Sequence, residues 1–457
     1  MTIEAPLDAA PVSAPPNNLL TSPILPTLLR LALPNAVAMV GTALVTVAET
    51  AYIGRLGTEP LAAIALVFPF AMLAQMMSAG AMGGGVSSAV SRALGAGDRD
   101  RAASLALHAT IIGACGGLFF TAMMLLFGRQ FFALLGGRGR VLEEACNYSQ
   151  VLFSGAIAIW LVNTLASVLR GTGDMRLPSV ALIGTAMVQI VVGGTLGLGL
   201  LGFPQFGMRG VAAGQLTAFS LGTLFLLWYL ISGRSRLTLN LSAFTFQRGM
   251  FIDILKVGAV ACLSPLQSVL TILIFTKILA GFGTEVLAGY GLGSRLEFLL
   301  IPISFAIGVA SVPMVGMAIG AGLVTRARQV AWTAGAVAGL TLGLVGLVVA
   351  IKPALWVSLF TADPGVTAAA NSYFLWAGPA FAFFGLGTCL YFASQGAAKV
   401  GGPVLASTIR LVMVGIGGWW LASINAPAWT LFALVGGAMI VFGLSTAASV
   451  RFTRWGK

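Results

Sequence analysis

The segment Gly57-Thr58-Glu59-Pro60-Leu61-Ala62 recurs 226 positions later as Gly283-Thr284-Glu285-Val286-Leu287-Ala288, and each copy closes a long apolar run. A chain written twice to one plan is confined to architectures whose halves are alike. Other landmarks keep the interval. Leu29-Arg30 and Leu255-Lys256 open the two runs at the same offset. Ala93-Leu94-Gly95-Ala96-Gly97 and Ala318-Ile319-Gly320-Ala321-Gly322 stand 225 apart, as do Gly171 and Gly396, and Pro178 and Pro403. A one-residue indel separates the registers. A repeat of apolar runs over about 150 residues implies two membrane-embedded halves, a plan most familiar from transporters.

Crossing a bilayer as helix takes about 20 apolar residues. Cutting the chain at Gly, Pro and charge clusters predicts twelve such segments. They run at about 28–53, 60–91, 104–127, 144–169, 178–201 and 209–231, then 254–280, 286–319, 330–351, 367–394, 403–421 and 428–450. Several exceed the required length, which implies tilt or bending. Six spans per half is an even number, so both halves enter the membrane the same way round, related by a pseudo-twofold axis along the membrane normal. The expected fold is an all-α polytopic membrane protein of twelve transmembrane helices in two six-helix bundles. Its parts are a flexible cytoplasmic tail at 1–27, an N-terminal lobe at 28–232, a cytoplasmic inter-lobe loop at 233–253 and a C-terminal lobe at 254–457.

Composition narrows the function classes. With 58% hydrophobic and 8% charged residues the chain has no water-soluble surface to offer. The net charge of +12 does not argue for nucleic acid, because Lys and Arg sit between the apolar runs rather than along one face. Sixteen of them fall on one side of the predicted topology and six on the other, which places both termini in the cytoplasm and the protein in the plasma (inner) membrane. The first residues lack the early positive charge and apolar core of a cleaved signal. Cys115, Cys146, Cys262 and Cys389 lie far apart and read as core residues, and His108 as a packed or interfacial side chain. No nucleophile with a base, ligand cluster or nucleotide loop is visible, so neither an enzyme nor a cofactor is expected.

The stretch from Pro34 to Ala102 is more specific. An apolar helix carries Glu49 just before Tyr52-Ile53-Gly54-Arg55-Leu56-Gly57, followed by Leu61-Ala62-Ala63, a glycine-laden second helix and Gly95-Ala96-Gly97. Leu169-Arg170-Gly171-Thr172-Gly173-Asp174 follows the fourth span, and Val315-Gly316 through Gly320-Ala321-Gly322 closes the eighth. Together these resemble the multidrug and toxic compound extrusion (MATE) family of efflux transporters over nearly the whole chain from residue 28. The resemblance implies two six-helix lobes around a central cavity, and export of amphipathic, often cationic organic compounds by antiport with H⁺ or Na⁺ through alternating access. It maps the family's first-span acid onto Glu49 and a polar partner on the fourth span onto Asn163. The chain departs from the pattern on the fifth span, where Gln189 and Gly193 stand in place of an Asn and Asp, and on the seventh, where Ser264-Pro265-Leu266-Gln267-Ser268 contains no acid.

A charge at the bilayer centre costs on the order of 2.5–3.5 kcal/mol on insertion scales, so such residues tend to be functional. The candidates are Glu49, Lys277, Arg295, Glu297 and Arg410. Thr42, Thr46 and Thr50 form a stripe at i+4 spacing that Glu49 flanks, which suits a cavity wall. Arg295 and Glu297, two residues apart, point in nearly opposite directions and each needs a partner from another helix. They read either as ion pairs that fix lobe packing or as a coupling and substrate site. Lys277 and Arg410 are placed within snorkelling reach of an interface. At the repeat offset Glu49 corresponds to Phe275 and Glu297 to Ala71, so neither acid is needed merely to build a bundle. The site expected is therefore Glu49 and Glu297 for ion coupling, with Thr46, Asn163, Gln189, Gln267 and Arg295 lining the cavity. The partners expected are small organic substrates and the lipid bilayer, around a monomer. A lipid-linked precursor flippase of the same superfamily would want a strongly cationic cavity, and an uncoupled channel or receptor remains the alternative from a different class.

Overall fold

The computed structural model describes residues 18–235, 237 and 245–456, and every helix long and apolar enough to span falls where a hydrophobic run predicts one. Ten helices are continuous. Spans 1, 2 and 3 are Ile24–Leu56, Thr58–Gly95 and Arg99–Leu134; spans 5 and 6 are Arg176–Leu198 and Gly207–Ile231. Spans 7, 8 and 9 are Arg248–Ala280, Thr284–Gly320 and Val324–Ile351; spans 11 and 12 are Gly401–Ser423 and Ala428–Phe452. The fourth and tenth crossings are bent pairs, Gly139–Ser154 with Ala156–Gly171 at 49° and Pro364–Ala377 with Phe381–Gly396 at 55°. Twelve crossings put the start of span 1 and the end of span 12 on one side, the terminal face.

Helix boundaries follow from local chemistry. The side chain of Asp98 accepts from Arg101 N at 2.9 Å, Asp174 from Arg176 N at 2.9 Å and Asp363 from Val366 N at 2.8 Å. Three loop acids thereby satisfy the otherwise unpaired amides that open spans 3, 5 and 10. The repeated Gly-Thr-Glu segment is a turn whose glycine has positive φ in both halves, 131° at Gly57 and 111° at Gly283. The symmetry extends to other turns, with Gly97 at 81° opposite Gly322 at 75° and Gly173 at 87° opposite Ala398 at 56°. Glu59 stands in the first turn of span 2, partly exposed, 3.3 Å from Arg140.

Two features differ from the expected organisation. Residues 1–17 of the expected tail lie outside the described residues, but Asn18–Thr21 is a helical turn and span 1 starts at Ile24. Leu19 is buried, and Arg326 Nη2 donates to the carbonyls of Leu19 and Ser22, so this part of the tail is anchored to the second lobe. Span 2 contains a π-helical segment, Met76–Met82. Asn163 of span 4 donates from Nδ2 to Gln75 Oε1 at 3.1 Å and Ser78 Oγ at 2.9 Å, which holds the turn where the π segment begins.

The lobes meet through spans 2 and 8 at the terminal face. A Cβ built on Gly95 would stand 2.2 Å from Met317 O, and one on Gly320 would stand 2.1 Å from Arg92 O. Each glycine lets the other helix's backbone sit against it, as in close helix crossings within membranes. Ser88 Oγ adds hydrogen bonds to the carbonyls of Gln395 and Gly396 on span 10. At the rim, Asp253 of span 7 bridges Arg92 Nη2 at 2.6 Å and Arg101 Nη2 at 2.9 Å, joining the second lobe to spans 2 and 3.

Glycine-to-alanine changes at Gly57 and at Gly283 should each cost about 1–2 kcal/mol, because a Cβ disfavours left-handed backbone. Ala398→Gly should be neutral or stabilising. Denaturant unfolding in detergent micelles measures all three, and equal tolerance at the three positions would contradict the turn assignment.

Candidate functional site

Among the described residues, a carboxylate-centred cluster stands in the membrane region of each lobe. In the first lobe Glu49, on span 1 near its far end, accepts a hydrogen bond from Gln189 Nε2 of span 5 at 2.6 Å. Tyr52 and Tyr148 lie within electrostatic reach of this carboxylate, and the Tyr148 hydroxyl is engaged with Gln215 Oε1 of span 6 at 2.9 Å. No ion pair reaches Glu49 among the described residues. An acid inside a bilayer with a single neutral amide partner is a group that can change its protonation state without breaking an ion pair.

The threonine stripe beside Glu49 is not on the wall of the cavity shared by spans 2, 8 and 11. Thr42, Thr46 and Thr50 turn their hydroxyls onto the carbonyls four residues earlier, and Thr46 itself is exposed, with its Oγ1 3.4 Å from Thr42 O. Helical spacing placed them on one face, but the local carbonyls satisfy them without a partner.

The second cluster faces a cavity of about 210 Å³. Met72, Met76 and Gly80 of span 2 form one wall; Phe305 of span 8 and Phe392 of span 10 lie against Gly80, and a Cβ there would stand 3.1 Å from Phe305 Cε2. The opposite wall carries Glu297 of span 8 and Arg410 of span 11, with Tyr290 and Ser294 beside them. Glu297 Oε1 accepts from the Tyr373 hydroxyl of span 10. The Tyr373 ring is seated on Gly293, where a Cβ would fall 2.2 Å from its Cδ1. Thus Gly289 and Gly293 serve close approach to span 10, Gly291 faces open space, and span 8 remains helical throughout.

Arg295 and Arg410 exchange their expected places. Arg295 is exposed, does not line the cavity and lies over the Phe360 ring at 5.6 Å. Two residues along a helix turn a side chain through about 200°, so Glu297 facing the cavity sends Arg295 away from it. Arg410 does not snorkel: its guanidinium is held against Phe384 at 5.3 Å and Phe442 at 5.9 Å, on the cavity wall. Counting residues along the helix gives depth but not direction. The repeat held the signal, since the same offset puts Gly184 or Thr185 opposite Arg410 and marks it as another unrepeated charge.

The remaining candidates are packing residues in this geometry. Asn163 is buried on the π-segment contact described above. Gln267 donates to Thr408 Oγ1 at 2.8 Å, tying span 7 to span 11, while its neighbours Ser264 and Ser268 reach the cavity wall. His108 is buried, with Nδ1 2.8 Å from Ser104 O and Nε2 accepting from Gln247 N at 3.0 Å. In the motif after span 4, Gly171 seats against Val90 and Asp174 caps span 5, so the motif shapes the lobe rather than the cavity.

Comparison with known proteins agrees with this architecture. A family model described as MatE matches residues 34–195 and 261–421, one stretch in each half. The FAD transporter of Shewanella oneidensis is 28% identical over 315 residues, covering 68% of this chain and 69% of that protein. The probable multidrug resistance protein NorM of Thermotoga maritima is 26% identical over 340 residues, covering 74% and 73%. Among solved structures, a MOP superfamily transporter from Pyrococcus furiosus superposes with a TM-score of 0.87 at 24% identity, over 95% of this chain and 96% of that one. An outward-facing multidrug resistance MATE family transporter gives 0.84 at 23% identity over the same shares. These likenesses show the fold, twelve helices in two halves.

Replacing Asn163 by Ala would leave Gln75 Oε1 and Ser78 Oγ without their donor in a buried setting, at a cost of about 1–3 kcal/mol. The expected outcome is a lower unfolding midpoint with substrate affinity retained. Unchanged stability with lost affinity would instead put Asn163 in the binding site.

Proposed function

Since this chain belongs to the MatE family of multi-pass membrane transporters, we propose that it is a secondary active antiporter that exports amphipathic organic compounds in exchange for protons. Glu49 is the coupling group in this reading. The observation that carries it is the isolated Glu49–Gln189 contact, an acid held between spans 1 and 5 by one amide. A single carboxylate with a neutral partner suits loading by a proton better than the many-oxygen coordination of Na⁺. Span 1 also packs along spans 5 and 8, and span 8 carries Glu297, so a change at Glu49 has a helix through which to reach the cavity.

The charge bias along the sequence supports a cytoplasmic terminal face and a place in the plasma membrane. On that orientation the seal between spans 2 and 8 is cytoplasmic and the cavity lies nearer the outside. That corresponds to the outward-facing half of an alternating-access cycle, the conformation of one of the structural relatives above. Proton entry from outside would neutralise Glu49, free Gln189 and bias the lobes toward the opposite closure. A membrane potential of 100 mV is worth about 2.3 kcal/mol per charge. It sustains a gradient of roughly fifty-fold for a neutral substrate per proton. For a monovalent cation exchanged one for one the potential cancels, and a pH gradient or a second proton is needed.

Purified protein in liposomes, given an imposed pH gradient, should drive counter-transport of an organic dye. Glu49→Gln should cut gradient-driven flux at least tenfold while dye binding persists. Undiminished gradient-driven exchange in that variant would remove Glu49 from the mechanism, and flux indifferent to any ion gradient would make the protein a facilitator.

A further inference from the structure

Hydrogen-bonding capacity on the cavity wall is unevenly used. Glu297 has the Tyr373 hydroxyl on Oε1. Arg410 lies within electrostatic reach of Glu297 and Tyr290, yet among the described residues no carboxylate oxygen stands within 4.0 Å of it and no hydrogen bond holds its guanidinium. Its guanidinium carbon lies over the rings of Phe384 at 5.3 Å and Phe442 at 5.9 Å. Arg410 is also part of the cavity wall, so its five N–H donors are available to a ligand there. An arginine edge presented this way matches two oxygens of one carboxylate or phosphate, and it gains most from such a partner where water is scarce. The rest of the wall, with Met72, Met76, Phe305 and Phe392, is apolar and adaptable.

We propose that the substrate of this cavity is an aromatic or similarly apolar compound bearing an acidic group, whose carboxylate or phosphate docks on Arg410. Phe384 and Phe442 then act as positioning residues for the guanidinium, and Glu297 limits how much negative charge the site accepts. This departs from the cationic substrates expected from the sequence, and it rests on the cavity being the binding site of the exporter proposed above. It also suits the energetics. Export of a monoanion against entry of one proton moves two charges in the direction the potential favours, whereas a monocation exchanged one for one gains nothing from it.

The test compares two dyes built on one ring system, fluorescein as the anion and rhodamine 123 as the cation, by fluorescence anisotropy with the full-length protein in nanodiscs at a fixed pH. The wild type should bind fluorescein more tightly. Arg410→Gln should weaken fluorescein at least tenfold and leave rhodamine 123 unchanged or tighter. Arg410→Lys should fall between, because the charge survives and the paired geometry does not. Glu297→Gln should tighten fluorescein several-fold, and it serves as the independent readout if Arg410→Gln does not yield folded protein. Tighter wild-type binding of rhodamine 123, fluorescein affinity within twofold after Arg410→Gln, or no binding of either dye to protein with a normal melting transition would each overturn the assignment. Binding needs no ion gradient, so loss of pH-driven transport with intact Arg410-dependent fluorescein binding would sink the antiport reading and leave this one standing.

Discussion

The reciprocal seating of Gly95 on Met317 and Gly320 on Arg92 is the contact on which the arrangement of this molecule depends. In lipid there is no hydrophobic drive to push two helices together, so close backbone approach and van der Waals contact have to do it. Any side chain at either position would hold spans 2 and 8 apart along the seam. The seam's depth then fixes where the cavity ends, because Gly80 and Phe305 lie on the same two helices about four turns further from the terminal face. Asp253 with Arg92 and Arg101 closes the rim outside it. Of these two pairs the one to Arg101 is the more exposed and the more screened by salt, while the glycine contacts are indifferent to ionic strength.

On this symmetrical frame the charges are distributed without symmetry. The turns repeat down to their backbone angles, so that even Ala398 adopts the positive φ of its counterpart Gly173. The first lobe nonetheless has Glu49 with an amide, and the second has Glu297 with a phenol and Arg410 nearby. A duplicated scaffold supplies two equivalent bundles, and these unrepeated residues make one a carboxylate site apart from the described cavity and the other its charged wall.

Much of the fold was legible because a membrane helix needs only length and apolarity, both plain in the sequence. Cutting at Gly, Pro and charge clusters gave six spans in each half, and that even number set their sense; the aspartate caps at the starts of spans 3, 5 and 10 emerge only in the structure. What escaped was direction. Arg410 and Arg295 were assigned by depth along their helices, yet the rings of Phe384 and Phe442, drawn from spans 10 and 12, decide where the Arg410 guanidinium points. The threonine stripe failed for a related reason, since a hydroxyl in a helix can bond to its own backbone and needs no cavity. The two bends do fall at local signals, Gly155 in span 4 and Gly378-Pro379 in span 10, whereas the π segment, where Asn163 meets Gln75 and Ser78, follows no local pattern.

The bend in span 10 has a mechanical consequence. Its half Pro364–Ala377 presents Tyr373 to Glu297, and its half Phe381–Gly396 presents the Gln395 and Gly396 carbonyls to Ser88 across the seam. One crossing thus works as a jointed lever with a chemical grip at each arm. If the angle at the joint changes, a displacement felt at the seam arrives at the carboxylate as a change in the reach of a phenol, with both arms still helical.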